Sequence, residues 1–195
     1  MSDKKPVLVG QQEFSAIYDG TARNVAQWLQ RGQLDYDEAV IISGRAYWTL
    51  GFAVAQGERF ARAKKPNMAV VEQLVEEQSP GRGLVSALTV HRGDLPPIVG
   101  QREIVAMIDE DPSSFLPRLD AAIKDGDFPA SDWRLSGSPL WLLSSALDTL
   151  ESTTRFSKIK SRTPVINREV VEALKSGLYD GPGSKILTRG ATKKS

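Results

Sequence analysis

The chain has 195 residues, 41% of them apolar, enough for one ordinary domain or two small ones with packed cores. It contains no cysteine, so disulfides, thiolate metal sites and cysteine nucleophiles are excluded together, and packing alone must hold the fold. The formal net charge of +1 conceals an uneven distribution: nine cations face seven carboxylates in residues 1–66, five face ten in 97–156, and nine face three in 157–195.

The opening MSDKKPVLVG has no apolar run of secretory-signal length, and no later segment reaches the length of a membrane-spanning helix. The expectation is a soluble cytoplasmic protein with no membrane partner. The first predicted helix carries Phe14, Ile17 and Tyr18 at i, i+3, i+4 spacing, one helix face. A second carries Val25, Trp28 and Leu29 and stops at Gly32, where a left-handed residue costs glycine little. The extended run VIISGRAYW follows, with Gly44 and Arg45 read as the central residues of a hairpin turn, and GFAVAQGERFARA returns to helix. Residues 67–96 read as a linker holding one helix, capped by Asn67, with Met68, Val71, Leu74 and Val75 on one side.

The chain then starts again. VGQREI at 99–104 repeats VGQQEF at 9–14, and Ile104, Met107 and Ile108 take the places of Phe14, Ile17 and Tyr18. Leu119, Ala122 and Ile123 stand for Val25, Trp28 and Leu29 after an insertion around DEDPSS, and Gly126 ends that helix as Gly32 does. WRLSGSPLW aligns with VIISGRAYW on Ser43/Ser136, Gly44/Gly137 and Trp48/Trp141, and LSSALDTLEST closes the copy as a helix. One further helix, from Asn167 to about Ser176 and ended by Gly177, lies in the basic tail. Two copies of this size fit a duplicated small domain better than a solenoid.

Three motifs carry a family resemblance: the opening Val9-Gly10-x-x-Glu13, the helix Val25-x-x-Trp28-Leu29-x-x-Gly32, and the hairpin Ser43-Gly44-Arg45 followed by an aromatic. Together they resemble the winged helix-turn-helix module of MerR-type regulators and of small excisionase and AlpA-like prophage regulators. The likeness runs from Val9 to about Arg62 and, with weaker motif agreement, from Val99 to about Thr154. It implies a mainly α fold with small β-hairpin wings (α+β). The domains are then a DNA-reading winged helix-turn-helix copy at 7–66, a helical linker at 67–96, an acidic second copy at 97–156, and a basic tail with one helix at 157–195.

A helix that enters the major groove must offer donors and acceptors opposite its core residues, and on the second helix that face carries Thr21, Arg23, Asn24, Gln27, Gln30 and Arg31. Thr21 is expected to cap the helix, whose positive end would lie near a phosphate. Arg45 sits at the expected wing tip, within reach of backbone or minor groove. In the second copy the aligned residues are Pro117 for Arg23, Ala121 for Gln27, Asp125 for Arg31 and Ser138 for Arg45; only Arg118 and Lys124 keep long polar side chains, beside Asp120, Asp125, Asp127 and Asp132. Acidic surface costs affinity for a polyanion, which favours a structural or protein-binding second copy, including self-association, over weak DNA docking. Lys158, Lys160 and Arg162 in the tail are candidate phosphate contacts, against the alternative of a solubilising end.

Catalytic readings find little. His91 stands without a nucleophile or carboxylate partner, Asp109, Glu110 and Asp111 read as solvating a lengthened interhelical turn rather than holding a metal, and GPGSK at 181–185 lacks the spacing of a phosphate loop. The expectation is no enzyme and no cofactor, but a sequence-specific binder of double-stranded DNA of bacterial or phage type: a transcriptional regulator, an excisionase-like factor or a plasmid-maintenance factor. The alternative is a virion or complex component that uses the duplicated fold for protein contacts.

Overall fold

The computed structural model describes residues 5–108, 111–157 and 163–186. They form a mixed α+β structure. The elements in order are β1 (Leu8–Val9), α1 (Gln11–Ala16), α2 (Ala22–Gln30), β2 (Val40–Ile42), β3 (Arg45–Thr49), α3 (Leu50–Arg59), α4 (Met68–Gln78) and α5 (Leu84–Leu88). The order then recurs as β4 (Ile98–Val99), α6 (Gln101–Met107), α7 (Pro112–Asp125), β5 (Trp133–Leu135), β6 (Ser138–Leu142), α8 (Leu143–Ser152) and α9 (Arg168–Ser176). Each copy builds a three-stranded antiparallel sheet, ordered β1-β3-β2 and β4-β6-β5. No helix among the described residues is long and apolar enough to cross a membrane.

Two compact units result. Unit 1 holds Met1–Val40, Ala46–Pro96 and Ser131–Leu140; unit 2 holds Ile41–Arg45, Pro97–Ala130 and Trp141–Ser195. Each therefore contains a hairpin tip encoded in the other copy.

The core of unit 1 is aromatic. Phe14 meets Trp48 edge-on at 5.3 Å between centroids, Trp28 lies 4.5 Å from Phe60, and Tyr18 sits edge-on to Phe60 at 5.4 Å. Residues that the sequence sets apart as a linker contribute to this core: Val71, Leu74 and Val75 of α4 and Ala87 of α5 are buried. The linker holds two α-helices and a short 3-10 helix (Arg92–Asp94) rather than one helix, and Met68, expected on the apolar side, is 38% exposed at the start of α4. Gln78 at the end of α4 accepts from the Leu8 amide at 2.9 Å and donates to the Leu8 carbonyl at 2.8 Å, so its side chain does for edge strand β1 what a neighbouring strand would do.

Tyr18 donates to the Ala53 carbonyl at 2.7 Å and the Val54 carbonyl at 3.0 Å, and burial lifts its pKa from 10.0 to about 12. Because the folded-state value lies above the unfolded one, this contribution to stability is complete below pH 10 and declines as pH rises toward 12. Thermal melts between pH 8 and 11 should therefore show a decline that is shallower in Tyr18→Phe than in the parent; identical profiles would exclude Tyr18 as a source.

Unit 2 repeats the plan with phenylalanines. Phe115 and Phe156 lie 5.2 Å apart and Phe128 meets Trp141 edge-on at 5.7 Å, while Trp141 Nε1 donates to the Pro129 carbonyl at 3.0 Å. The insertion before α7 lengthens the helix instead of the expected turn, 14 residues against nine in α2, with Asp111 as N-cap accepting from the Ser113 and Ser114 amides. Pro117 consequently lies inside α7 rather than in its first turn. Asp109 and Glu110 lie outside the described residues. Helix α9 starts at the Asn167 cap and ends at Gly177 in the left-handed region, as its sequence predicts. The Asn167 amide donates to the Met107 carbonyl as the Asn67 amide donates to that of Ile17, and Val171 is buried as Val71 is. Helices α4 and α9 are thus equivalent, and the duplication extends one helix beyond the expected boundary.

The hairpin turns are displaced by one residue from the expected Gly44-Arg45 and Gly137-Ser138. Ser43 and Gly44 have φ of 50° and 79°, and Ser136 and Gly137 have 48° and 77°, so both central residues of each two-residue loop are left-handed. Serine rarely adopts this conformation, and a carboxylate holds it there. In unit 2 the Ser43 amide and hydroxyl donate to Glu103 at 2.7 and 2.6 Å; in unit 1 the Ser136 amide and hydroxyl donate to Glu13 at 2.7 and 2.9 Å. Each glutamate also accepts the amide of its own glycine, Gly100 or Gly10, at 3.0 Å. A Cβ on either glycine would run into the facing serine hydroxyl, which is why Val-Gly-x-x-Glu must contain glycine. This motif, written twice, is half of a clasp whose other half is Ser-Gly, also written twice.

Candidate nucleic-acid interface

Helix α2 buries Val25 and Trp28, the latter 6% exposed, against the aromatic core. That packing fixes the phase of the helix. Arg23, Gln30 and the C-cap residue Arg31 are exposed, and Gln27 and Asn24 are half-buried on the flanks. No Asp or Glu lies on the helix, so its open face carries only cations and neutral amides. Asp19 in the preceding turn accepts from Asn67 Nδ2 at 2.8 Å.

Thr21 occupies the N-cap position with extended backbone, as expected, and forms a capping box with Asn24 three residues on. Its amide and hydroxyl both donate to Asn24 Oδ1, at 2.7 and 3.1 Å. Asn24 thus commits its carbonyl to the helix start and keeps its amide group as donor. Arg23, Gln27, Gln30 and Arg31 remain the long side chains of the face.

Arg45 is exposed at the first position of β3 and belongs to unit 2. The turn before it is not a free tip, because Gly44 is buried and donates to the Gly183 carbonyl at 2.7 Å. Gly183 lies in the GPGSK stretch, which forms a turn. Lys158, Lys160 and Arg162 lie outside the described residues.

The corresponding face of α7 is acidic. Asp120 is exposed, and Asp125 and Asp127 are both gripped by Arg155, whose pKa is raised by the hydrogen bond to Asp125 first and that to Asp127 next. Arg118 lies over the Phe115 ring, 5.7 Å from its centroid, and bonds the Ser114 carbonyl. Among the described residues no cluster of three His, Asp or Glu side chains is placed to hold a metal ion.

The run Arg59 to Lys65, which the sequence motifs leave aside, is cationic and packs against α2. Phe60 packs on Trp28 of α2, and the Lys64 ammonium sits 5.5 Å from the centroid of the same indole, so the cationic run lies against the Trp28 side of α2. Its visible signal is the charge pattern RFARAKK. No protein-family model, curated protein or solved structure matches the chain.

Proposed function

We propose that the chain is a sequence-specific binder of double-stranded DNA built from two winged helix-turn-helix copies, with α2 as the reading helix. The observation that supports this most is the carboxylate-free face of α2, with two arginines and two glutamines projecting opposite a packed aromatic core. Arginine and glutamine are the side chains that pair bidentately with guanine and adenine edges in the major groove. The second copy, with Asp120, Asp125 and Asp127 on the aligned surface, serves structure or protein contact, including self-association. A regulator, an excisionase-like factor and a plasmid-maintenance factor are the bacterial or phage roles that such a binder fills.

Selection of bound duplexes from random DNA, followed by titration across salt, tests the proposal. A reader enriches one motif, and log K falls linearly with log salt. Arg45→Ala should weaken all duplexes alike and make that slope shallower by about one unit, as loss of one phosphate contact requires. Lost base preference would instead move Arg45 into readout. No enriched motif and no salt dependence would leave a structural component acting through protein contacts.

A further inference from the structure

Resting on the reading of α2 as the DNA-facing helix, we propose that Arg59, Arg62, Lys64 and Lys65 form a second site for the phosphate backbone of the same duplex, gripping it without regard to sequence. All four are exposed, and none pairs with a carboxylate among the described residues. Their position is held at both ends. Phe60 is buried against Trp28 and Tyr18, and the Lys64 amide donates to the Gly57 carbonyl at 2.9 Å, folding the run back on α3. Gly57 has to be glycine, since a Cβ would collide with the Lys64 carbonyl oxygen. The run is therefore a fixed strip beside Trp28, in the second half of α2 and close in sequence to Gln27, Gln30 and Arg31.

The second copy supplies a contrast. Phe156 packs on Phe115 of α7 as Phe60 packs on Trp28 of α2, but the cation beside it, Arg155, is consumed by Asp125 and Asp127. The cation that precedes each phenylalanine is thus ion-paired in one copy, Arg155, and has no carboxylate partner among the described residues in the other, Arg59. The strip carries four cations on seven residues, of which Lys64 meets the Trp28 ring, and an anion arriving there would relieve their mutual repulsion. A duplex offers that anion as a dense row of phosphates.

The test uses the full chain and the duplex enriched from random DNA, with two variants. Arg62→Gln/Lys65→Gln touches no packed side chain; Arg59→Gln/Arg62→Gln/Lys64→Gln/Lys65→Gln removes the whole strip, with thermal unfolding as folding control. The slope of log K against log salt should become shallower by about two units in the double variant and by about three to four in the quadruple one, at about 0.9 unit per phosphate. The enriched motif should stay the same. An unchanged slope in the double variant, with motif recognition intact, overturns the strip while leaving the α2 reading standing. A changed motif also overturns it, because the strip would then read bases. If the parent chain binds no duplex, the α2 reading fails and the strip with it. The strip alone fails if its variants keep full duplex affinity and lose only binding to single-stranded RNA or anionic vesicles.

Discussion

Glu103→Ala is expected to lower the free energy of unfolding by about 2–4 kcal/mol, because three donors, one buried and two partly buried, lose a buried charged acceptor at once. Glu103 is 2% exposed and accepts from the Ser43 amide, the Ser43 hydroxyl and the Gly100 amide. Without it the left-handed Ser43 keeps its unfavourable backbone and loses the bonds that offset it. Glu13→Ala should cost less, about 1–2 kcal/mol, since Glu13 is only half-buried and water can reach the vacated donors. Urea unfolding of both variants measures the difference. A change below about 0.5 kcal/mol for Glu103→Ala would mean that the clasp contributes nothing beyond what solvent supplies.

Arg23→Ala and Gln27→Ala should each weaken binding to the enriched duplex by about 1–3 kcal/mol and relax preference at one base position. The two side chains lie one turn apart on α2, Arg23 exposed and Gln27 half-buried on the flank, with Val25 and Trp28 fixing the helix from behind. Neither is in the core, so stability should stay within about 0.5 kcal/mol of the parent. Fluorescence anisotropy with single-base duplex variants separates the outcomes, and unchanged base preference in both variants would remove α2 from the major groove. The full chain is the right material, since residues 1–66 alone would lack buried Val71, Leu74, Val75 and Ala87 and the hairpin of Trp133.

The helices are legible in the sequence because apolar triples such as Phe14, Ile17 and Tyr18 sample one face of a 3.6-residue period, and because Gly32, Gly126 and Gly177 all take the left-handed conformation that ends a helix. Strands β1 and β4 are not, since two residues carry no period. The role of Gln78 is equally hidden, because its partner Leu8 lies 70 positions away and nothing in local composition announces a side chain standing in for a strand. The turn is displaced by one residue from its expected place because Ser43 looks like a strand end until the carboxylate that stabilises its positive φ is known. For the candidate interface, the polar face of α2 follows from phase alone. The strip at 59–65 does not, because its relevance depends on Phe60 folding back onto Trp28.

The clasp also sets a timetable. Unit 1 includes Ser131–Leu140, so it cannot be completed when its main stretch, which ends at Pro96, has left the ribosome. At roughly 5–20 residues per second, synthesis needs a few more seconds to deliver Ser136 to Glu13. Through that interval the first repeat waits with one carboxylate facing water, while the turn that unit 2 will need, Ile41–Arg45, has already emerged. Where each repeat of a duplicated chain is self-contained, the repeats can mature in order of synthesis; this chain has to defer closure of its first repeat until much of the second has been made.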